Sequence, residues 1–306
     1  MRILLFGANG QVGWELQRAL APLGEVIALD RGGLDGLSGD LAHPDTLADT
    51  IRAAGPEVIV NAAAYTAVDK AESEEPIAQT VNAAAPAAMA KAAKGVGALL
   101  VHYSTDYVFD GSGDQPWKEN DQTGPLNVYG RTKLEGEMAI QQSGCHYLVF
   151  RTSWVYASRG HNFIRTMLRL SAERESLQLI DDQHGAPTGA ELIADITAQV
   201  IPKVMESRER AGLYHLASAG ETNWHDYASF VIERAREAGW PVKVSRSGIT
   251  AVKSDRFPVK ARRPLNSRLA CTALESAFGI FRPDWRVGVS RALREILACE
   301  NLGARQ

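Results

Sequence analysis

RILLFGANGQVGWELQRAL occupies residues 2–20, and the reading of this stretch decides the fold. RILLF (2–6) is a short, almost wholly apolar run and reads as a fully buried strand. Gly7, Gly10 and Gly13 follow at three-residue spacing and lead into Val12, Leu16, Leu20 and Leu23, which recur at helical spacing. Glycine lets the backbone turn tightly and approach a pyrophosphate, and the helix N-terminus adds unpaired N–H groups and partial positive charge. Gly13 would permit close packing of helix on strand. The stretch therefore predicts the first strand–helix junction of a parallel sheet, with a dinucleotide site at the turn.

The alternation continues outward. EVIAL (25–29), EVIVNAA (57–63), ALLVHYS (98–104) and YLVFRTS (147–153) read as strands, separated by helical patterns over 44–54, 76–94 and 128–143. Continuous apolar strands between helices predict an α/β fold, a Rossmann-type doubly wound parallel sheet covered on both faces. After Trp154 the pattern loosens. Helices are expected over 161–173, 189–201 and 225–238, strands at 177–180 and 213–217, and short helices near 272–279 and 287–299. This predicts a dinucleotide-binding domain from 1–153 plus about 189–217, and a smaller C-terminal α/β substrate domain from 154–188 and 218–306.

Composition sets outer bounds. The 306 residues, at about 150 per domain, suggest two domains. A net charge of −3 excludes a broad nucleic-acid-binding surface and gives no pull toward anionic membranes. Cys145, Cys271 and Cys299 are too scattered for a disulfide framework or zinc site and fit a reducing cytosol. The start does not read as a signal peptide, and no window approaches the ~18 apolar residues of a membrane span. A cytoplasmic protein with small-molecule ligands is expected.

Tyr129 and Lys133 lie four apart on a predicted helix and share a face, while Thr105 ends the fourth predicted strand, where open α/β sheets bind ligands. Reducing a ketone takes a hydride donor and a proton donor. Tyrosine, with an ordinary pKa near ~10, serves when a lysine ammonium stabilises its phenolate, with a cofactor ribose bridging the two. A threonine hydroxyl can hold the substrate oxygen beside the phenol. Asp30 closes the second strand, where a carboxylate binds both ribose hydroxyls and repels a 2′-phosphate; Arg31 could pair with that phosphate. NADH is expected to be used and NADPH tolerated. Asp40 and Leu41 can reach the adenine, and Ala63-Ala64-Tyr65 follows the third strand where the cofactor should cross. Arg256, Lys260, Arg262, Arg263 and Arg268 form a cationic stretch suited to a substrate pyrophosphate.

The G-x-x-G-x-x-G spacing resembles the short-chain dehydrogenase/reductase superfamily. More specifically, the chain resembles the dTDP-4-dehydrorhamnose reductase family of its extended branch. The resemblance rests on GANGQVGWELQ (7–17), VNAAAYTAVDKAE (60–72), YSTDYVFDG (103–111), PLNVYGRTKLEGE (125–137), FRTSWVYA (150–157), DQHGAPTGAELIAD (182–195) and ARRPLNSRL (261–269). It implies reduction of the 4-keto group of dTDP-4-dehydro-L-rhamnose to dTDP-L-rhamnose with NADH or NADPH, the last step toward a sugar donor for bacterial cell-surface polysaccharide such as lipopolysaccharide O-antigen. It makes Tyr129 the proton donor, Lys133 its partner and Thr105 the hydroxyl on the substrate oxygen. Asp106 and Trp154 become sugar contacts, although Trp154 reads equally as a strand-end aromatic closing the core. Arg263 and Asn266 are expected on the nucleotide sugar.

The same resemblance puts Gly10, Gln11, Val12, Asp30, Asp40, Leu41, Ala64, Tyr65, Thr66 and Tyr103 against the dinucleotide. Tyr65 departs from the family's histidine, and its contact is expected through backbone. A Mg²⁺ ion at a homodimer contact is implied, with Glu15 and Glu191 in the matching motifs. Two rivals stand beside this reading. A nucleotide-sugar 4,6-dehydratase would place a glutamate after Asp106, where this chain has Tyr107. A non-catalytic dinucleotide-binding subunit, like the regulatory subunit of methionine adenosyltransferase, would not need the intact Thr105, Tyr129 and Lys133 set.

Overall fold

The computed structural model describes residues 1–257 and 259–303; Pro258, within the cationic stretch, lies outside the described residues. Six strands make the central sheet: β1 (Arg2–Phe6), β2 (Glu25–Leu29), β3 (Val58–Asn61), β4 (Leu99–Thr105), β5 (His146–Thr152) and β6 (Gly212–His215). All neighbours run parallel, in the spatial order β6-β5-β4-β3-β1-β2. The chain places β2 on one side of β1 and β3 on the other, so the order reverses at β1 and opens a crevice at the carboxyl edge.

Strand alternation sorts the core into two layers. Ile3 and Leu5 face one way and pack with Leu16 and Leu20 of α1 (Gln11–Leu20) and with Ile193, Val200 and Val204 of the helix Ala190–Glu206. Leu4 and Phe6 face the other way, against Leu47 and Ile51 of α2 (Pro44–Ala54) and Met89 and Ala93 of α3 (Ala85–Val96). A third cluster joins Tyr156, Ile164, Leu168, Leu177, Tyr227, Trp285 and Val289. It involves the helices Phe163–Glu173, Trp224–Glu237 and Trp285–Gly303 and the parallel strand pair Leu177–Ile180 and Ile249–Val252.

One predicted helix proves composite. The run expected over 76–94 comprises a helix at Glu75–Gln79, a π turn at Thr80–Ala84, and α3. Pro86 has no N–H to complete the usual ladder, and the wider turn before it accommodates the loss. The turn also carries Asn82, whose amide accepts from Tyr65 N at 2.9 Å and donates to Tyr65 O at 3.1 Å. The helix expected over 189–201 continues to Glu206, through Pro202. Among the described residues no helix is long and apolar enough to cross a membrane.

A buried ion pair locks α4 (Val128–Ser143) to the sheet. Arg151 on β5 donates to both oxygens of Glu137 at 2.7–3.1 Å, and both side chains are almost wholly buried. Removing either partner would leave an uncompensated buried charge, at a cost of about 3–5 kcal/mol. This pair fixes the height of α4, and with it the two side chains one and two turns earlier.

Candidate active site

The carboxyl edge of the sheet opens into a cleft of about 840 Å³. Gly7, at φ +86°, turns the chain out of β1, and Gly10 caps α1 without a side chain over its N–H groups. Gly7, Gly10, Gln11 and Val12 line the cleft. Gly13 lies beneath the turn. A Cβ there would stand 2.0 Å from the Gly7 carbonyl oxygen, so only glycine lets the helix sit this close. An unobstructed helix N-terminus against a glycine turn suits a pyrophosphate.

Asp30 lines the cleft beyond the turn. Its carboxylate accepts from Asn9 Nδ2 at 2.6 Å and from Gly32 N at 2.8 Å. The Arg31 side chain is 86% exposed and lies 3.8 Å from Asp40 Oδ1. Leu41, Ala63, Ala64, Thr66 and Tyr103 also line the cleft. Tyr65 does not. Its backbone bonds with Asn82 and its hydroxyl donates to Glu74.

At the cleft floor, Asn127 caps α4 by accepting from Gly130 N at 2.8 Å. A Cβ on Gly130 would lie 2.2 Å from the Tyr107 carbonyl oxygen, so the glycine lets the helix start directly on the turn Asp106–Val108. This brings Tyr129 to the end of β4, with the Tyr107 ring edge-on at 5.7 Å. Burial pushes the Tyr129 phenol up to about 12, against the lowering effect of the Thr105 hydroxyl. It is therefore protonated at neutral pH, the form that donates. Lys133, one turn on, donates from its amine to the Tyr103 carbonyl at 2.5 Å. Burial also brings Lys133 down to about 8, with Glu137 opposing.

Asp106 is buried beside Thr105, whose hydroxyl donates to Asp106 Oδ1 at 3.1 Å. Burial raises its carboxyl to about 7. The Ser267 hydroxyl also lies by this carboxyl, whereas Ser104 Oγ and Thr152 Oγ1 are buried without a hydrogen-bond partner among the described residues, and both residues line the cleft. Each such atom costs about 1–3 kcal/mol unless a ligand supplies the partner. The cradle and these polar atoms fit a dinucleotide with a polar substrate beside it.

Trp154 adopts φ +48° at the cleft wall and stacks on Trp224, with centroids 3.8 Å apart. It both lines the site and closes the third core cluster. Trp224, with its indole N–H on Gln183 Oε1 at 3.0 Å, and His161 also line the cleft; no spacing in the sequence marks either. Arg263 reaches the cleft, paired with Asp69 at 2.7 Å. The other four cations of the stretch do not line it. The Asn266 amide donates to Ser112 O and Gln115 O and its oxygen accepts from Arg268, so it ties loops together beside the cleft lining.

Glu15 and Glu191 line a separate pocket of about 220 Å³. Glu191 pairs with Arg291 and Glu15 with Arg18. Among the described residues no group of three or more His, Cys, Asp or Glu is arranged to hold a metal ion. Both carboxylates thus already have an arginine partner within the chain.

The glycine turn, the Tyr129 phenol, the Lys133 amine and the Thr105 hydroxyl thus belong to residues that line one cleft, a set suited to hydride transfer coupled to proton donation. The fold and site accordingly define a nicotinamide-dependent oxidoreductase of the short-chain dehydrogenase/reductase class. Residues 1–298 match the RmlD substrate binding domain family. The chain is 56% identical over 296 residues to the dTDP-4-dehydrorhamnose reductase of Escherichia coli K12, covering 97% of this chain and 98% of that one. A crystal structure of a dTDP-4-dehydrorhamnose reductase from Clostridium acetobutylicum superposes with a TM-score of 0.85 at 35% identity, covering 97% of this chain and 100% of that one. One from Bacillus anthracis, in complex with NADP, gives 0.84 at 32% identity, covering 96% and 99%. The chain belongs to the dTDP-4-dehydrorhamnose reductase family.

Proposed function

We propose that this protein reduces the 4-keto group of dTDP-4-dehydro-L-rhamnose to give dTDP-L-rhamnose, the final step in making that sugar donor for cell-surface polysaccharide. The observation that carries the reading is Tyr129, protonated and set against Thr105 at the floor of a dinucleotide cleft. A bound nicotinamide supplies the hydride. The glycine turn and the start of α1 hold the pyrophosphate, and Asp30 holds the adenosine ribose. Thr105 orients the carbonyl oxygen, and Tyr129 gives that oxygen its proton. Lys133 stabilises the resulting phenolate. Asp106 and Trp154 contact the sugar, and Arg263 meets the nucleotide phosphates.

The reading includes NADH as a substrate and NADPH as a tolerated one, since Asp30 and the exposed Arg31 pull in opposite directions. It divides the chain into a dinucleotide domain and a nucleotide-sugar domain with the cleft between them. The pairing of β6 with β5 and the separate third cluster support that division. A cytoplasmic homodimer is part of the proposal. Val287, 60% exposed at the pocket that Glu15 and Glu191 line, is an apolar residue a second copy could cover.

The test is stoichiometry. One NAD(P)H should be consumed per dTDP-4-dehydro-L-rhamnose, with dTDP-L-rhamnose as product. A dehydratase would show no net cofactor oxidation, and a regulatory subunit no turnover; either result would overturn the proposal.

A further inference from the structure

Lys133 is among the largest fully buried side chains, and its amine meets two groups from β4. One is the Tyr103 carbonyl at 2.5 Å; the other is His102 Nε2 at 3.2 Å. The His102 ring is itself pinned. Its Nδ1 lies 3.1 Å from Asn61 Nδ2, while Asn61 Oδ1 accepts the Ala63 N–H at 3.1 Å. His102 and Asn61 are both 1% exposed.

These contacts fix every proton along the chain of groups. A backbone N–H only donates, so the Asn61 amide turns its oxygen to Ala63 and its NH₂ to His102. An NH₂ group only donates, so His102 Nδ1 accepts, and the neutral ring carries its proton on Nε2. That Nε2–H faces the lysine nitrogen. An ammonium has three donors and no acceptor, so the two oppose each other; a neutral amine has a lone pair and takes the bond.

We propose that Asn61 and His102 are a positioning pair: through a fixed Nε2–H they favour the neutral form of Lys133 and so ready its proton for the Tyr129 phenolate. This rests on the reductase reading. When the substrate oxygen takes the Tyr129 proton, the phenolate takes one from Lys133, directly or through an intervening hydroxyl. The Lys133 N–H bond breaks, the Tyr129 O–H bond re-forms, and the freed lone pair accepts His102 Nε2–H. His102 neither gains nor loses a proton, and Lys133 regains one from water between turnovers. The charged surroundings are few. Glu137, one turn on along α4 and clamped by Arg151 of β5, favours the ammonium, while β3 presents the neutral Asn61. Burial and the Lys133 charge hold His102 well below the usual histidine range, so the ring stays neutral.

The experiment uses the full-length protein. Long-range ¹H–¹⁵N NMR reports which nitrogen of His102 carries the proton, and the lysine ¹³Cε signal reports the titration of Lys133. The same variants are assayed for kcat against pH. Wild type should show the Nε2–H tautomer. In Asn61→Asp the carboxylate accepts from Nδ1–H, Nε2 becomes the acceptor, and the Lys133 titration should move up by about one pH unit. The alkaline limb of kcat should follow, retaining roughly five-fold more activity one pH unit above the wild-type limb. His102→Gln, whose amide oxygen can turn to the ammonium, should shift both in the same direction and stands in if Asn61→Asp fails to fold. A wild-type Nδ1–H tautomer, or lost activity with an unmoved Lys133 titration, would overturn the proposal. The NMR readouts need no turnover, so an inactive wild type would count against the reductase reading alone.

Discussion

Gly13→Ala tests the close approach on which the dinucleotide site depends. The new Cβ would stand 2.0 Å from Gly7 O, 2.7 Å from Gly7 C and 3.2 Å from Ala8 Cα. All three atoms are backbone, so no side chain can rotate away. Restoring an ordinary C···O separation of about 3.3 Å means moving α1 off the turn by about 1.3 Å, from 2.0 Å. Overpacking of this kind costs about 1–3 kcal/mol, offset by up to about 1 kcal/mol because alanine is the better helix former. The larger effect falls on the ligand. Hydrogen bonds from the first turn of α1 to a pyrophosphate would stretch from about 2.9 Å past 4 Å. Losing two charge-assisted bonds removes about 3 kcal/mol, a loss of affinity of roughly 100-fold. Fluorescence titration of NADH measures it, with denaturant unfolding alongside. Gly95→Ala is the control, because nothing lies within 4 Å of a Cβ there and α3 should be unaffected or slightly stabilised. NADH affinity for Gly13→Ala within two-fold of wild type would refute the reasoning.

Asp30→Ala should lower kcat/KM for NADH by about ten-fold and narrow its advantage over NADPH, since one ribose carboxylate is worth about 1–2 kcal/mol; an unchanged ratio of the two cofactors counts against that role. Arg263→Ala should raise KM for the nucleotide sugar by about ten-fold and spare NADH affinity, and steady-state kinetics with an unchanged KM would remove Arg263 from the site. His215 is held down to about 3 by burial and the nearby Arg151 charge. Below the ordinary value of about 6.5 the unfolded chain gains a proton that the folded chain refuses, so this group's stability is complete above pH 6.5 and lost as pH falls toward 3. Urea unfolding at pH 7.5 and 5.5 should show the advantage of wild type over His215→Asn shrinking by about 1.4 kcal/mol; a constant difference would contradict it.

The sheet was legible because its chemistry is local. Buried parallel strands are apolar runs such as Ile3–Phe6, and the predicted bounds of Val128–Ser143 and Leu177–Ile180 match the structure. The π turn was not legible, because the alanines on both sides suit one unbroken helix and only Pro86 hints otherwise. Within the site, Thr105, Tyr129 and Lys133 come together as their strand-end and helical spacing implied. Trp224 and His161 escaped notice because the fold carries them in from distant segments with no pattern of their own. His102 read as one more residue of a buried strand; its contact with Lys133 appears only once α4 packs on β4. Tyr65 and Asn266 stand apart from the cleft lining. Each lies beside residues that line the cleft, yet its polar groups are already taken by Asn82 and by the loop carbonyls.

The most direct measurement is NADH oxidation with dTDP-4-dehydro-L-rhamnose, wild type against Tyr129→Phe, alongside NADH binding. Removing the phenol takes away the proton donor while leaving the ring. The expectation is robust turnover in wild type, a fall in kcat of about 10²–10⁴-fold in the variant, and unchanged NADH affinity. Equal rates in the two proteins, or no oxidation in either, would contradict the account.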